Sequence, residues 1–490
     1  MASPKQSKKI KPPKGTRDLY PEDLLRQRYI TNAWRDASIR CGFEEIAGPT
    51  FESTDLYAVK SGDGILNELF QTFSGKGGSE TLDKLVEKGK ADFALRPEFT
   101  PTLARMYAAH AKQLPKPCKW FTAGPYFRAE RPQRGRLREF LQWNCDIIGV
   151  DTNGPNSVGY GETMDAELFG VVVDLLRSLG ISYNQVRLHF TDRRFIVRAL
   201  LKHGITEDKV VNSLNLLDMR GKIRAEEFNL QAHALGLDVE SFDKEVSEGC
   251  DTEGFLGANS IFFTDELQDA LGDEDYKWYR WDSSVVRGLA YYTGTVFEAI
   301  ADGERAVAGG GRYDNLIELF GGPPTPACGF GMGDVVLGNL LDDKALMPEG
   351  LELKEAVARP QASIRPQAFI VPNRESDNSE TNEPLVHTLT ANLRRGIESE
   401  SWLADENRKP WNKNRYALAP LHARISYKST TKLNKLRDDA IKQHAKFFVI
   451  IDDENTAQLH NLDTKESLGP FSPDPASQSY IGKAIAGATA

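Results

Sequence analysis

The stretch from Phe127 to Phe140 holds five Arg and two Glu in fourteen residues of a chain whose net charge is −9. Guanidinium groups stay charged at any working pH and grip phosphate through paired N–H donors. Several of them on one loop can converge on a triphosphate. Charge alone also fits a solvated hairpin. Upstream, Glu98 and Thr100 in the run Leu95 to Thr100 set a carboxylate beside a hydroxyl, a pair that suits a substrate ammonium group. On an extended chain both side chains face the same way; a carboxylate at a strand edge is the plainer reading. Downstream, Val286 to Glu298 sets Arg287 near Tyr291 and Tyr292. A fixed cation stabilises charge developing on phosphate. Tyrosine hydroxyls can hold a polar ring, and hydrogen bonds built into a site discriminate strongly against analogues. Three glycines at 309–311 let backbone approach a ligand closely. No Gly-Lys-Ser/Thr follows them, so they are not a Walker P-loop. Pro326 to Leu337 carries more glycines where a strand runs into a helix, whose N-terminus favours anions. A turn and a packed strand end are the plain readings of these two segments.

Positioning such groups needs a scaffold. Leu24 to Cys41 reads as a helix. Phe121 to Phe127 and Leu141 to Val150 read as strands around the Arg-rich connection, a hairpin with a long loop. Continuing past Phe127, strand alternation puts Arg128 and Glu130 on one face. Thr163 to Leu179 has the helical period, with Leu168, Val171, Val172, Leu175, Leu176 and Leu179 inward and Gly180 as terminator. Residues 181–276 read as a helix-rich insertion with a strand candidate at Val186 to Phe190. Its Arg193, Arg194 and Arg198 fit RNA contact or, more simply, a solvated helix face. Residues 342–366 read as a charged, Pro-containing linker. Beyond it come strands at Ala368 to Val371, Ala423 to Tyr427 and Phe447 to Ile451, and helices at Leu385 to Arg395 and Thr430 to His444. The second helix sets Leu433, Leu436, Ala440 and Ile441 on one face. Alternating strands and helices predict a small α/β domain with a largely parallel sheet.

Bulk properties set the frame. A chain of 490 residues suggests roughly two to four domains. Hydrophobic content of 40% and charged content of 27% are those of an ordinary globular protein. No run of about 18 apolar residues predicts a membrane span. Met1 to Lys14 is polar and reads as a mobile arm on a cytoplasmic protein. Cys41, Cys118, Cys145, Cys250 and Cys328 are scattered and form no C-x-x-C pair, which argues against a disulfide framework or zinc site. The acidic total gives no global field for nucleic acid. Local charge differs: Ser401 to Lys446 has eleven Lys and Arg against four Asp and Glu, a surplus of +7. That suits a phosphate backbone, with Trp411 and Tyr427 as stacking surfaces, or a solvated basic helix.

The segment Phe127 to Gln142 resembles motif 2 of the class II aminoacyl-tRNA synthetases in its histidyl form, Phe-Arg-x-Glu-Arg-Pro-Gln-x-Gly-Arg-x-Arg-x-Phe-x-Gln, with every fixed position present. The resemblance extends to Leu95-Arg-Pro-Glu-x-Thr100, to the signature Arg-Gly-Leu-Asp-Tyr-Tyr around Arg287, and to Gly-Gly-Arg-Tyr-Asp at 310–314. Gly42 to Glu52 resembles motif 1, and Lys14-Gly-Thr-Arg-Asp18 the family's N-terminal segment. Two departures stand out. Ala290 replaces the signature Asp. In the motif 3 segment, aligned on Gly331 and Gly333, Val335 and Val336 stand where a Glu-Arg pair is expected.

The resemblance implies an α+β fold: a class II catalytic domain at 14–341, built on an antiparallel sheet flanked by helices and carrying the insertion at about 181–276. It implies a flexible arm at 1–13, the linker at 342–366 and an anticodon-binding-like α/β domain at 367–490. The implied reaction is ATP-dependent activation of L-histidine to histidyl-adenylate and transfer to the 3′ end of tRNA(His). Arg128 and Arg287 would be catalytic. Histidine would meet Glu98, Phe99, Thr100, Arg128, Gln142, Asp146, Arg287, Tyr291 and Tyr292. ATP would meet Arg128, Glu130, Arg136, Arg138 and Phe140, with Mg²⁺ held mainly by its phosphates and no metal site in the protein. Arg131 and Gln133 would meet the tRNA acceptor end, and motif 1 would form a homodimer. A non-catalytic regulatory paralogue of the same fold, of the histidine-biosynthesis type, is the alternative. A third possibility is an RNA-binding protein without catalysis. Arg305 and Arg312 are the candidates to replace the motif 3 arginine.

Overall fold

A computed structural model describes residues 10–61, 68–73, 83, 86–87, 89–149, 160–221, 223–248, 275–287, 291–301, 306–374, 379–428 and 430–488. Its centre is an eight-stranded sheet in the order Glu44–Glu45, Cys118–Phe127, Glu139–Ile148, Ala327–Gly333, Ala308–Arg312, Thr295–Ala301, Val186–Asp192, Tyr279–Trp281. The inner pairs are antiparallel and the two edge pairs parallel. This is the antiparallel sheet expected of the class.

Strand alternation divides the sheet into a packed face and a working face. On Glu139–Ile148, Trp143, Cys145 and Ile147 point under the helices Pro21–Arg40 and Tyr160–Ser178. Phe140, Gln142 and Asn144 point the other way, into a cavity. The five apolar positions read on the helix 160–178, and Leu179 just after it, lie in the packed layer, and each contributes about 1.5–3 kcal/mol by burial. Trp143 anchors this layer: its ring stacks on Trp34 at 6.2 Å and its Nε1 donates to Ser38 Oγ at 2.8 Å. Trimming it to Ala would cost about 3–5 kcal/mol. Across the sheet the helix Thr100–His110 buries Leu103, Ala104 and Tyr107 beside Trp120 and Tyr126. Pro101 sits in its first turn, where no intrahelical N–H bond is lost.

Several expectations are corrected. Val186–Asp192 belongs to the main sheet, between Thr295–Ala301 and Tyr279–Trp281. The helical insertion therefore starts at Arg193 and contributes the helices Arg193–Lys202, Glu207–Asp218, Ala225–Leu235 and Val239–Glu248 around a core of their own. Residues 342–366 are no free linker: the helix Gly350–Val357 buries Leu353 in the main core, with Met347 beside it. Cys41, Cys118, Cys145 and Cys328 are free and buried; Cys250 lies outside the described residues. No described helix is long and apolar enough to cross a membrane.

The C-terminal unit carries a five-stranded sheet in the order Ala423–Ile425, Ala368–Pro372, Phe447–Ile451, Ala457–Asn461, Ser467–Phe471. The first three strands are parallel, but the last two form an antiparallel extension, so the sheet is mixed. Half-exposed residues and a Gly-Pro pair hid those two strands in the sequence. On the helix Leu433–Lys442, Leu436 and Ala440 are buried while Ile441 is half exposed.

Arg415 of the basic stretch, with Arg394 and Arg395 before it, docks this unit on the larger one. Arg415 donates to the carbonyls of Ser178 (2.7 Å) and Arg177 (3.1 Å), at the C-terminal end of the helix Tyr160–Ser178, where cations are favoured. Arg395 donates to Asp174 at 2.9 Å. Glu167 receives Lys119 at 2.5 Å, Arg394 at 3.4 Å and the Tyr427 hydroxyl. Burial pushes the Glu167 carboxyl up, but Lys119 and Arg394 overcome that and hold it at about 2. Burial in turn draws the Lys119 ammonium down to about 8 against the pull of Glu167. Trp411 is buried and donates to Glu352 at 2.9 Å. Neither Trp411 nor Tyr427 is thus the open stacking surface expected of it.

Candidate active site

The cavity on the working face has a volume of about 830 Å³, within the range of about 300–1,000 Å³ usual for ligand sites. Its first wall is the Arg-rich hairpin. The ladder pairs Phe127 with Glu139, and Arg128 N extends it by donating to Arg138 O at 3.0 Å. The loop reverses where Gln133 and Arg136 exchange backbone bonds of 3.0 and 2.9 Å; Gly135 there takes φ 76°, which favours glycine. Arg128 Nε donates to Pro97 O at 3.1 Å, and its guanidinium lies 5.2 Å from the Phe140 ring centre. Arg136 donates to Glu130 at 2.6 Å. Arg128, Glu130, Gln133, Arg136, Phe140 and Gln142 all line the cavity.

Arg287 enters from the other side. Its backbone is left-handed, φ 49°, a conformation costing a non-glycine residue about 1–2 kcal/mol. Such strain gathers at functional sites. Its Nη1 donates to Glu298 at 2.7 Å. Burial works against the charge, but Tyr292 and Glu298 outweigh it and hold Arg287 above its ordinary range. Glu298 thus braces Arg287; Ala290, at the position of the signature Asp, lies outside the described residues. A Cβ on Gly309 would sit 2.0 Å from Arg287 Nη1, so a side chain there would evict the guanidinium.

The Tyr291 and Tyr292 rings lie tilted with centres 4.5 Å apart, and Tyr291 meets Tyr313 edge-on at 6.0 Å. Burial, then the neighbouring Tyr292, push the Tyr291 hydroxyl well above its usual range, so it stays neutral and can donate. The Tyr313 hydroxyl donates to Asp146. Glycines face this row from the next strand: a Cβ at Gly329 would lie 1.9 Å from Asp146 Oδ1, and one at Gly331 3.0 Å from Gln142 Nε2.

Glu98, Thr100, Arg128, Glu130, Gln133, Arg136, Phe140, Gln142, Arg287, Tyr291 and Tyr292 thus come together around one cavity. Glu98 and Thr100 do so without an extended chain between them, because Thr100 opens the helix Thr100–His110. Other expected residues stand apart. Phe99 is wholly buried in the apolar cluster behind the wall with Leu103 and Tyr292. Asp146 is buried behind Tyr313. Arg131 is exposed on the loop. Arg138 turns back to Glu130 O at 3.1 Å. Arg312 cannot replace the motif 3 arginine: it is buried and paired with Asp165 (2.8 Å) and Asp314 (3.2 Å). Arg305 lies outside the described residues. Arg193, read as an RNA contact or a solvated residue, is 4% exposed and reaches Arg287 O at 3.4 Å. Val335 and Val336 line the cavity where the Glu-Arg pair was expected.

Three cavity contributors escaped the sequence reading. Glu298 had a signal, a lone charge in the apolar strand Thr295–Ala301. Asn144 continues the alternating row of Phe140 and Gln142. Tyr313 lay in the glycine segment without an assigned role. Among the described residues no group of His, Cys, Asp and Glu is arranged to hold a metal ion.

Comparison with known proteins gives the family. A family model for histidyl-tRNA synthetase matches residues 15–333. A histidine–tRNA ligase of Arabidopsis thaliana, named as chloroplastic/mitochondrial, is 34% identical over 77% of this chain and 76% of that protein. One from Thermococcus kodakarensis is 33% identical over 78% of this chain and 82% of its own. Among solved structures, one from Bacillus halodurans, named both ATP phosphoribosyltransferase regulatory subunit and histidyl-tRNA synthetase, has a TM-score of 0.53 at 18% identity, covering 89% of this chain and 97% of that one. That likeness speaks for the fold alone. On the family match and these relatives, the chain belongs to the histidyl-tRNA synthetase family.

Proposed function

We infer that the chain is a histidine–tRNA ligase, which joins histidine to the 3′ end of tRNA(His) at the expense of ATP. The observation that carries this reading is the presence of Arg128 and Arg287 on one cavity, with Glu98, Gln142 and the two tyrosines. In the first step a histidine carboxylate oxygen attacks the α-phosphorus of ATP, and the bond to the β-phosphate oxygen breaks. Arg128 and Arg287 meet the charge that builds on the α-phosphate. Preorganised cations in a site shielded from water supply most of such a rate gain. Arg136, fixed by Glu130, faces the outer phosphates, and Phe140 offers a ring face to adenine. Mg²⁺ held by the ATP phosphates would neutralise part of their charge. Glu98 and Thr100 suit the histidine ammonium, and Gln142, Tyr291 and Tyr292 its ring. In the second step the terminal ribose hydroxyl of tRNA attacks the acyl carbon and AMP leaves. Arg131 and Gln133, both exposed on the loop, would meet the acceptor end.

The regulatory reading draws on fold likeness. The intact pair of arginines and the docked C-terminal domain favour the ligase. Two copies are proposed to associate through the motif 1 region, where Phe51 and Phe93 form an exposed edge-to-face pair at 5.8 Å. The cytoplasm is the proposed compartment, and a tagged copy found in organelles would overturn it. The function is tested by histidine-dependent exchange of pyrophosphate into ATP, followed by charging of tRNA(His). Exchange with histidine and not with other amino acids is the expected result; a folded protein without exchange sinks the reading.

A further inference from the structure

Lys14-Gly-Thr-Arg-Asp18 has no role in the chemistry above, yet it touches both walls of the cavity. The Gly15 carbonyl accepts from Arg138 N at 2.8 Å and from Glu139 N at 3.3 Å. Gly15 has φ 89°, and a Cβ there would lie 2.6 Å from Pro132 Cγ and 2.9 Å from Arg138 Cγ. Thr16 closes the turn, with its N at 3.1 Å and its Oγ1 at 2.8 Å from Pro13 O. Two residues after Gly15, Arg17 Nη2 donates to Asp334 Oδ2 at 2.7 Å.

Asp334 opens the helix Asp334–Asp343, two residues before Val336. Its second oxygen accepts from Leu141 N at 2.9 Å. That bond carries the ladder between Glu139–Ile148 and Ala327–Gly333 one step past its last register pair, Gln142 with Gly333. The Asp334 carboxylate is 3% exposed, and Arg17 is its ion-pair partner; Gln27 Nε2 reaches it at 3.4 Å. A buried carboxylate needs such partners to stay put as an anion. Residues 13–17 thus run from the phosphate-binding loop to the strand–helix corner beside it.

We propose that Arg17 is a positioning residue for adenylate formation: through Asp334 and Gly15 it clasps the phosphate-binding loop against the corner that bears Val336. This rests on the ligase reading. Arg17 does not line the cavity, so it acts through the groups it holds. With valine in place of the motif 3 arginine, ATP depends on how the loop side is set, and small misplacements of binding groups are costly.

The test uses the full chain in histidine-dependent ATP–pyrophosphate exchange, with separate KM values for ATP and histidine. Arg17→Met raises the ATP KM about fivefold to twentyfold and leaves the histidine KM within about twofold. Arg17→Lys keeps the charge without the planar fork and falls between. Gly15→Ala moves the ATP KM the same way as Arg17→Met. Arg365→Met, which removes the exposed pair with Asp463, changes neither value. Wild-type ATP KM in Arg17→Met overturns the proposal, and so does an equal rise in both KM values, which reports general loosening. If Arg17→Met fails to fold, wild-type ATP KM in both Arg17→Lys and Gly15→Ala overturns it. Failure of the wild-type chain to exchange overturns the ligase reading instead.

Discussion

The two walls of the cavity are built from different chemistry. The hairpin wall presents Arg128, Glu130, Arg136, Phe140 and Gln142; the adjoining strand and its corner present Gly329, Gly331, Gly333, Val335 and Val336. One wall is charged and aromatic, the other is bare backbone and methyl groups. Asp334, the ionisable group at that corner, is turned away to Leu141 and Arg17. On the proposed ligase reading, the difference makes nucleotide recognition one-sided: the hairpin would grip, and the corner would supply shape. Arg287 adds a second cation from the segment that follows the strand Tyr279–Trp281, and Glu298 holds it.

The largest effects should therefore come from the gripping side. Arg128→Ala should lower exchange kcat about a hundredfold to a thousandfold, the usual cost of removing one preorganised transition-state donor. Glu298→Gln leaves Arg287 charged but less firmly held, and should cost about tenfold in kcat with little change in ATP KM, read from the same assay. Phe140→Ala should raise the ATP KM about tenfold, since one lost ring contact of about 1.4 kcal/mol is worth that factor. Val336→Ala should move the ATP KM by less than about threefold, a lost methyl pair on a partly open wall. Equal effects from Phe140→Ala and Val336→Ala would break the comparison.

A change remote from both walls sets the floor. Glu167→Gln should leave the ATP KM alone but lower stability by about 3–5 kcal/mol, because it strands Lys119 and Arg394 in the domain interface. Acid should expose the same link. The Glu167 carboxyl is held at about 2 in the fold against an ordinary 4.5. Its contribution is thus full above pH 4.5 and drains away as pH falls toward about 2. Urea melts across that window should show wild-type stability falling further than that of Glu167→Gln.

What was legible in the sequence was local. The period-2 row Phe140, Gln142 and the glycine-spaced strand beside it are each contained in one segment, and their faces follow from pleating. The packed side of the helix 160–178 follows from its period in the same way. What was hidden depends on register between distant strands. Glu298 becomes the brace because Gly309 sits opposite it in the ladder and leaves room for Arg287. Arg193 reads as one more surface cation until the strand before it joins the main sheet and buries it. The segment 342–366 reads as linker because its single helix is short, while Leu353 finds its partners far away in the chain. Trp411 and Tyr427 have the composition of an RNA surface, but their polar atoms are spent on Glu352 and Glu167.

One measurement bears most directly on one-sided recognition: the ATP KM in histidine-dependent exchange, compared between Phe140→Ala and Val336→Ala in proteins shown to be folded. The hairpin variant should rise about tenfold while the corner variant stays within about threefold. A corner variant that loses as much as the hairpin variant, or more, would contradict the account.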